Sequence, residues 1–292
     1  MAGTFRGDRI SRCLIEPGVL LGVGSAAAWG TGDFAGGLAA RRAGGMLATG
    51  ASQVVGFVLL LVAVLVLRPA LPAPATLFLG ALGGIAGGLG LAALYRGLTM
   101  GAMGLVSAVS GVGGVLIPLA VGSLAWGVVI QPLQLAGVGC ALVAVAAASG
   151  ATSRGVSREA LLLALMAAVG FGLWFVFLDR ASEHDQLWAL VASRGSASLV
   201  VGGSAILRAD RSRLGGVVPL VTLAGLLDVA ANGMVVLAFA TIPVGIAAAL
   251  SGTYPLATMI LARTLLGEAL PRLGLVAVAL AVIGIVLISL GG

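Results

Sequence analysis

Apolar runs long enough to cross a lipid bilayer follow one another along almost the whole chain, and no other feature restricts its fold so tightly. They lie at about 17–40, 46–67, 75–97, 102–122, 132–149, 159–179, 186–207, 217–239, 243–263 and 272–290, each close to the roughly 20 residues a helix needs to span the hydrocarbon core. The breaks between them, such as "RRAGG", "RPALPAP", "RASEHD" and "GEALPR", are short and rich in Pro, Gly and Arg. None has room for a soluble domain. A membrane barrel would alternate apolar and polar residues over strands of about ten residues, and these runs are continuous. The expected fold class is therefore all-α integral membrane, with ten transmembrane helices after a polar tail at 1–16.

Composition agrees: 60% of the 292 residues are hydrophobic and 9% charged, against roughly 25% charged in a soluble domain. All 16 basic residues are arginines, set against ten acidic ones for a net charge of +6. They are scattered through the connecting segments, which suits membrane flanks and gives no nucleic acid a basic patch to bind. Cys13 in the tail and Cys140 in an apolar run have neither metal-site spacing nor a disulfide signature. The lone histidine, His184, falls in the loop "SEHDQ". An Arg-bearing start followed by an apolar stretch imitates a signal peptide, but the stretch runs on past the small residues near Ala26 to Ala40, so it reads as the first span.

The chain repeats itself at an offset of 141 residues. "ASQ" at 51–53 falls on "ASR" at 192–194, Gly84 on Gly225, Gly104 on Gly245, and "VSG" at 109–111 on "LSG" at 250–252. After a one-residue slip, "WGVVIQPL" at 126–133 falls on "LGEALPRL" at 266–273. The expected organisation is a first five-helix repeat at 17–149, a linker at 150–158 and a second repeat at 159–292. A unit with an odd number of spans must insert its second copy upside down. Inverted repeats with a midplane site between the halves characterise secondary transporters.

With these pieces in place, the chain after residue 16 resembles the EamA-type members of the drug/metabolite transporter superfamily. The likeness rests on the aromatic-Gly start "WGTGDF" at 29–34, on "ALYRGLTMGAMGLVSAVSG" at 93–111, and on "LAFATIPVGIAAALSGTYPLATMILARTLLGEAL" at 237–270. In the first half Gly114 stands where Pro255 would fall and Val128 where Glu268 would, so that copy is degenerate. The resemblance implies ten helices in two repeats, small-molecule transport by rocking of the halves, and a cytoplasmic N-terminus. With the N-terminus inside, the inner segments hold five arginines (Arg6, Arg9, Arg12, Arg68 and Arg180). The outer ones hold ten, and Arg194 lies within a span. That count opposes the positive-inside rule.

Four polar positions lie well inside the spans: Asp33, Arg194, Asp228 and Asn232. Charge at that depth costs at least about 2.5–3.5 kcal/mol on insertion scales, so such groups face the protein interior or a cavity and pair with one another. Asp228 and Asn232 are four apart and share a helix face. Arg194 can tie helices together by pairing with Asp228 or Asp33, but one arginine cannot neutralise two separated carboxylates. Asp33, with no basic residue within a turn, is expected to be left over as a proton carrier. Gln53 is the repeat mate of Arg194; the neutral and charged donors at equivalent depth would suit an anionic or zwitterionic substrate, or serve helix packing. Trp29, Tyr95, Trp174 and Tyr254 are candidates to line a cavity, with an interfacial belt the alternative for the first two. The glycines at 80, 84 and 88 and at 83 and 87 read as close helix packing.

The expected function is a proton-coupled secondary transporter of a small organic solute (a metabolite, amino acid or drug-like compound) in the plasma membrane. Export by alternating access is the reading the family resemblance favours. An uncoupled facilitator or channel-like permease is the alternative; a membrane enzyme lacks a nucleophile with its base, "HExxH" or "DDxxD". No metal or other cofactor is implied, and the expected partners are the substrate and the bilayer.

Overall fold

The computed structural model describes residues 17–100, 103–127, 129–151, 157–183, 185–208, 211–239, 241, 250–269 and 271–290. The polar tail with Cys13, Val128, most of the 150–158 linker, His184 and Pro243 with the start of the expected ninth run lie outside them.

The described residues are helical and contain no strand. They form α1 (Pro17–Ala43), α2 (Gly45–Leu67), α3 (Pro74–Met100), α4 (Met103–Trp126) and α5 (Pro132–Ala151), then α6 (Arg158–Ser182), α7 (Gln186–Ala197), α8 (Val218–Phe239), α9 (Tyr254–Leu266) and α10 (Arg272–Leu290). Five of them, α2, α3, α4, α6 and α8, contain stretches long and apolar enough to cross a membrane. The described parts of α5, α9 and α10 are shorter apolar helices. α1 is as long as α3, but glycines, Thr31 and Asp33 dilute its apolar character.

Local chemistry sets the ends. Proline opens α1, α3 and α5, where its missing N–H is not needed. Ser157 caps α6 by accepting the Ala160 N–H at 2.9 Å, and Asp185 caps α7 by accepting the Trp188 N–H at 3.0 Å. Gly127 and Gly267 stop α4 and α9 in the left-handed region, at φ 67° and 66°. These two are repeat mates under the one-residue slip.

Two elements differ from the expected pattern. The run at 186–207 is not one uniform α-helix: α7 passes into a π-helical turn (Ser198–Gly202) and then a short helix (Gly203–Arg208). The change occurs where Gly50 of α2 meets Gly202, its Cβ direction opening onto the Gly202 Cα. In the ninth run a turn at Gly252 and Thr253 precedes α9, which puts Pro255 in the first turn of the helix and not in its interior. There its missing N–H costs the helix no hydrogen bond. Pro118, by contrast, lies inside α4.

Packing follows the repeat. α3 packs on α6 and α7 as α8 packs on α1 and α2, α4 packs on α6 as α9 packs on α1, and α5 pairs with α10 and α2 with α7. Exchanging each helix with the one five further on reproduces these neighbours. The exchange holds at residue level: Gly84 abuts the Ser193 carbonyl, and Gly225 abuts the carbonyl of Ser52, the repeat mate of Ser193. A side chain at Gly225 would place its Cβ 2.6 Å from that oxygen, so glycine is what allows the helices to meet. The glycine rows of α3 likewise divide, with Gly80, Gly84 and Gly88 against α7 and Gly83 and Gly87 against α6.

Candidate functional site

The polar side chains singled out from the sequence converge where α1, α2, α7 and α8 meet. Arg194, 7% exposed, forms an ion pair with Asp228 Oδ2 and donates from Nη1 to Gln53 Oε1 at 2.7 Å. Its partner on α2 is thus its own repeat mate, which puts the pair at the centre of the exchange relation between halves. The other Asp228 oxygen, Oδ1, accepts the Trp29 indole N–H at 3.1 Å. One partly buried carboxylate, its side chain 21% exposed, therefore joins α1, α7 and α8. Asn232, one turn from Asp228 on α8, is 2% exposed.

Asp33 is one turn beyond Trp29 on α1 and 9% exposed. Among the described residues it makes no hydrogen bond and no ion pair, and the charge that acts on it is the like charge of Asp228. The guanidinium is engaged by Asp228 and Gln53. With both aspartates ionised, the cluster carries a surplus negative charge.

Aromatic rings surround the same region. Trp29 meets Phe175 of α6 edge to face, with centroids 6.4 Å apart and planes at 84°, and Tyr254 of α9 at 6.2 Å and 73°. Phe175 in turn meets Trp174 at 4.9 Å and 79°. The Trp174 N–H donates to Ser193 Oγ at 3.0 Å, and the Tyr254 hydroxyl shares a 3.4 Å hydrogen bond with Ser110 Oγ. Tyr95, 2% exposed, lies over Gly36 of α1, where any Cβ would strike its ring. Trp29 and Tyr95 thus point into the bundle and form no interfacial belt. α1 is held close to α9 beside them: Thr258 Oγ1 donates to the Gly30 carbonyl at 3.0 Å.

Phe175 was not singled out from the sequence. Its signal was its repeat mate, Phe34, which is buried, whereas Phe175 is partly buried. A second missed feature lies at one end of the bundle. Glu268, following α9, pairs with Arg41 at the end of α1 at 2.5 Å and accepts the Met103 N–H at the start of α4 at 3.0 Å. Arg41 had counted only as a flanking charge. An apolar groove of about 470 Å³ opens between α3 and α6, lined by residues such as Ala86, Leu89, Leu162 and Met166; it includes none of the polar cluster.

The comparisons with known proteins bear on what such a bundle is for. Residues 158–290 match the model of the EamA-like transporter family. The second half of the chain is thus similar to the EamA-like transporter family. The matched segment contains Trp174, Phe175, Arg194, Asp228, Asn232, Tyr254 and Glu268. A solved crystal structure superposes with a TM-score of 0.61, covering 94% of this chain and 97% of that one at 19% identity, and so shares the fold. No curated protein matches the chain. With five helices long and apolar enough to cross a membrane, the chain is a multi-pass membrane protein whose second half is similar to a family of transporters.

Proposed function

We propose that the chain is a secondary transporter of ten spans in two inverted five-helix repeats. It resides in the plasma membrane and exports a small organic solute by alternating access past the cluster of Asp33, Arg194 and Asp228. The exchange of neighbours between α1–α5 and α6–α10 supports the inverted arrangement, since such repeats hold their substrate site where the halves meet. Asp33 carries the reading. An ionised carboxyl so buried is costly without a partner, and Arg194 is already engaged by Asp228 and Gln53. A proton taken up and released at Asp33 therefore gives transport a coupling step, while the Arg194–Asp228 pair serves as the fixed tie around which the halves move.

The test is solute-driven proton movement in proteoliposomes containing a pH-sensitive dye. Wild-type protein is expected to move protons in exchange for solute, and Asp33→Asn to lose that coupling. Solute flux through Asp33→Asn that still followed the pH gradient would exclude Asp33 as carrier. Solute flux without proton movement in either protein would make the chain a facilitator.

A further inference from the structure

We infer that the groove between α3 and α6 is a binding site for one anionic phospholipid, its acyl chain lying along the groove and its phosphate at Arg158 and Arg96. The site is separate from the polar cluster, and the inference requires only that the bundle spans a membrane. Small residues make the floor. Gly90 and Gly170 bring the two helices so close that a Cβ on Gly170 would lie 2.7 Å from the Gly90 Cα, and Ala86 continues the strip along α3. The walls are Leu89, Leu162, Met166 and Val169, each more than half exposed. Left empty, a concave apolar surface of about 470 Å³ would forfeit its dispersion contacts, so in a bilayer it takes up a lipid tail or another helix.

The charge at one end selects the lipid. On α6, Arg158 stands one turn before Leu162, and the groove side continues through Met166 and Val169 to Leu173 at helical spacing. On α3, Leu89 leads through Ala93 to Arg96 in the same way. The two helices run antiparallel, with Gly97 by Ala160 and Gly83 by Phe177, so both arginines stand at the same end of the groove. Arg96 donates to Glu159 at 2.8 Å with both side chains exposed, while Arg158, also exposed, makes no hydrogen bond or ion pair among the described residues. That end therefore carries one unbalanced positive charge, which a phosphodiester neutralises. The length matches too. Arg158 and Leu173 are separated by about 22 Å of helix, and one leaflet measures about 20–22 Å from headgroup to midplane. A second copy docked here about a two-fold axis along the membrane normal would instead bring two such basic ends together at one depth, and like charges oppose association. The repeat mates of Gly90, Gly170, Arg96 and Arg158 are Ala231, Trp29, Leu237 and Pro17. The equivalent seam between α1 and α8 thus has neither these glycines nor this charge, and the lipid is expected in one leaflet.

The probe is dioleoyl phosphatidylglycerol, compared with dioleoyl phosphatidylcholine, added to the full-length protein in mild detergent and counted by native mass spectrometry. Wild type is expected to retain one phosphatidylglycerol in preference to phosphatidylcholine. Arg158→Gln should reduce that preference about fivefold, equivalent to the roughly 1 kcal/mol expected of one basic side chain near a headgroup. Position is read by fluorescence, against the parent protein with its four native tryptophans. Phosphatidylglycerol with brominated acyl chains, at one lipid per protein, should quench Met166→Trp and leave Leu142→Trp, at an exposed position on α5, unquenched. Thermal midpoints establish that each variant is folded. Equal retention of the two lipids, an unchanged preference in folded Arg158→Gln, or equal quenching at the two introduced tryptophans overturns the site. A dimer that forms without phosphatidylglycerol and shields Met166→Trp from quenching gives the groove to a second copy, and overturns it as well. None of these outcomes touches solute transport, so the lipid site and the transport reading fail separately.

Discussion

Arg194 is the residue at which structural and functional roles are hardest to separate, because a buried ion pair is weak evidence for stability while breaking one is expensive. Removing one partner leaves an uncompensated buried charge, at a cost of about 3–5 kcal/mol, whereas replacing both by apolar residues is often neutral. Arg194→Met alone is therefore expected to lower the denaturant midpoint in mixed micelles strongly. Adding Asp228→Leu should restore most of the loss without restoring transport. If the double variant were as unstable as the single one, the pair would owe its place to its hydrogen bonds with Trp29 and Gln53 more than to charge. That Gln53 and Arg194 hold equivalent positions in the two halves was legible, since their separation equals the repeat offset; that they hydrogen-bond to each other was not. Which aspartate Arg194 would choose was not legible, because both lay in spans with no positional clue. Phe175 was hidden for a different reason: one phenylalanine in an apolar run looks like core, and its meeting with Trp29 depends on how α1 and α6 cross.

Most helix ends were readable to within about four residues, α9 apart, because apolar length and Pro, Gly and Arg punctuation act locally. What escaped were features set by neighbours. The π turn at Ser198–Gly202 accompanies the approach of α2 at Gly50, and the position of Pro255 in the first turn depends on a break at Gly252 and Thr253. The Glu268 contact is of the same kind, since it joins the ends of α1 and α9 to the start of α4. A carboxylate at a helix N-terminus is favoured by the dipole, and the pair with Arg41 is partly exposed, at 32% and 20% for the two side chains, so it counts as a near-surface bridge. Glu268→Ala is expected to cost about 1–2 kcal/mol, and Glu268→Gln less, because the amide oxygen can still accept the Met103 N–H. A cysteine introduced at Ala262, 2% exposed beneath this contact, should react faster with maleimide in Glu268→Ala than in wild type. This is measured with Cys13 and Cys140 replaced. Unchanged reactivity would mean that the contact does not close that end of the bundle.

For the molecule as a whole, the question is whether the exchange of helices between halves is an inversion in the membrane. An odd number of spans per repeat requires it, and an even number would forbid it, so the two cases put repeat mates on different or on the same sides. Leu71, between α2 and α3, and Ser212, between α7 and α8, are mates at the 141-residue offset, and both are exposed. In a background lacking Cys13 and Cys140, Leu71→Cys and Ser212→Cys are expected to differ. A membrane-impermeant maleimide should label one in intact cells and the other only after permeabilisation. Labelling of both from one side would refute the inverted ten-span arrangement, and with it the midplane position of the Gln53–Arg194 pair. The orientation implied by the family resemblance makes Ser212 the outer residue, whereas the arginine distribution favours Leu71 outside. The experiment therefore fixes both the symmetry of the bundle and the direction in which Asp33 would meet the two compartments.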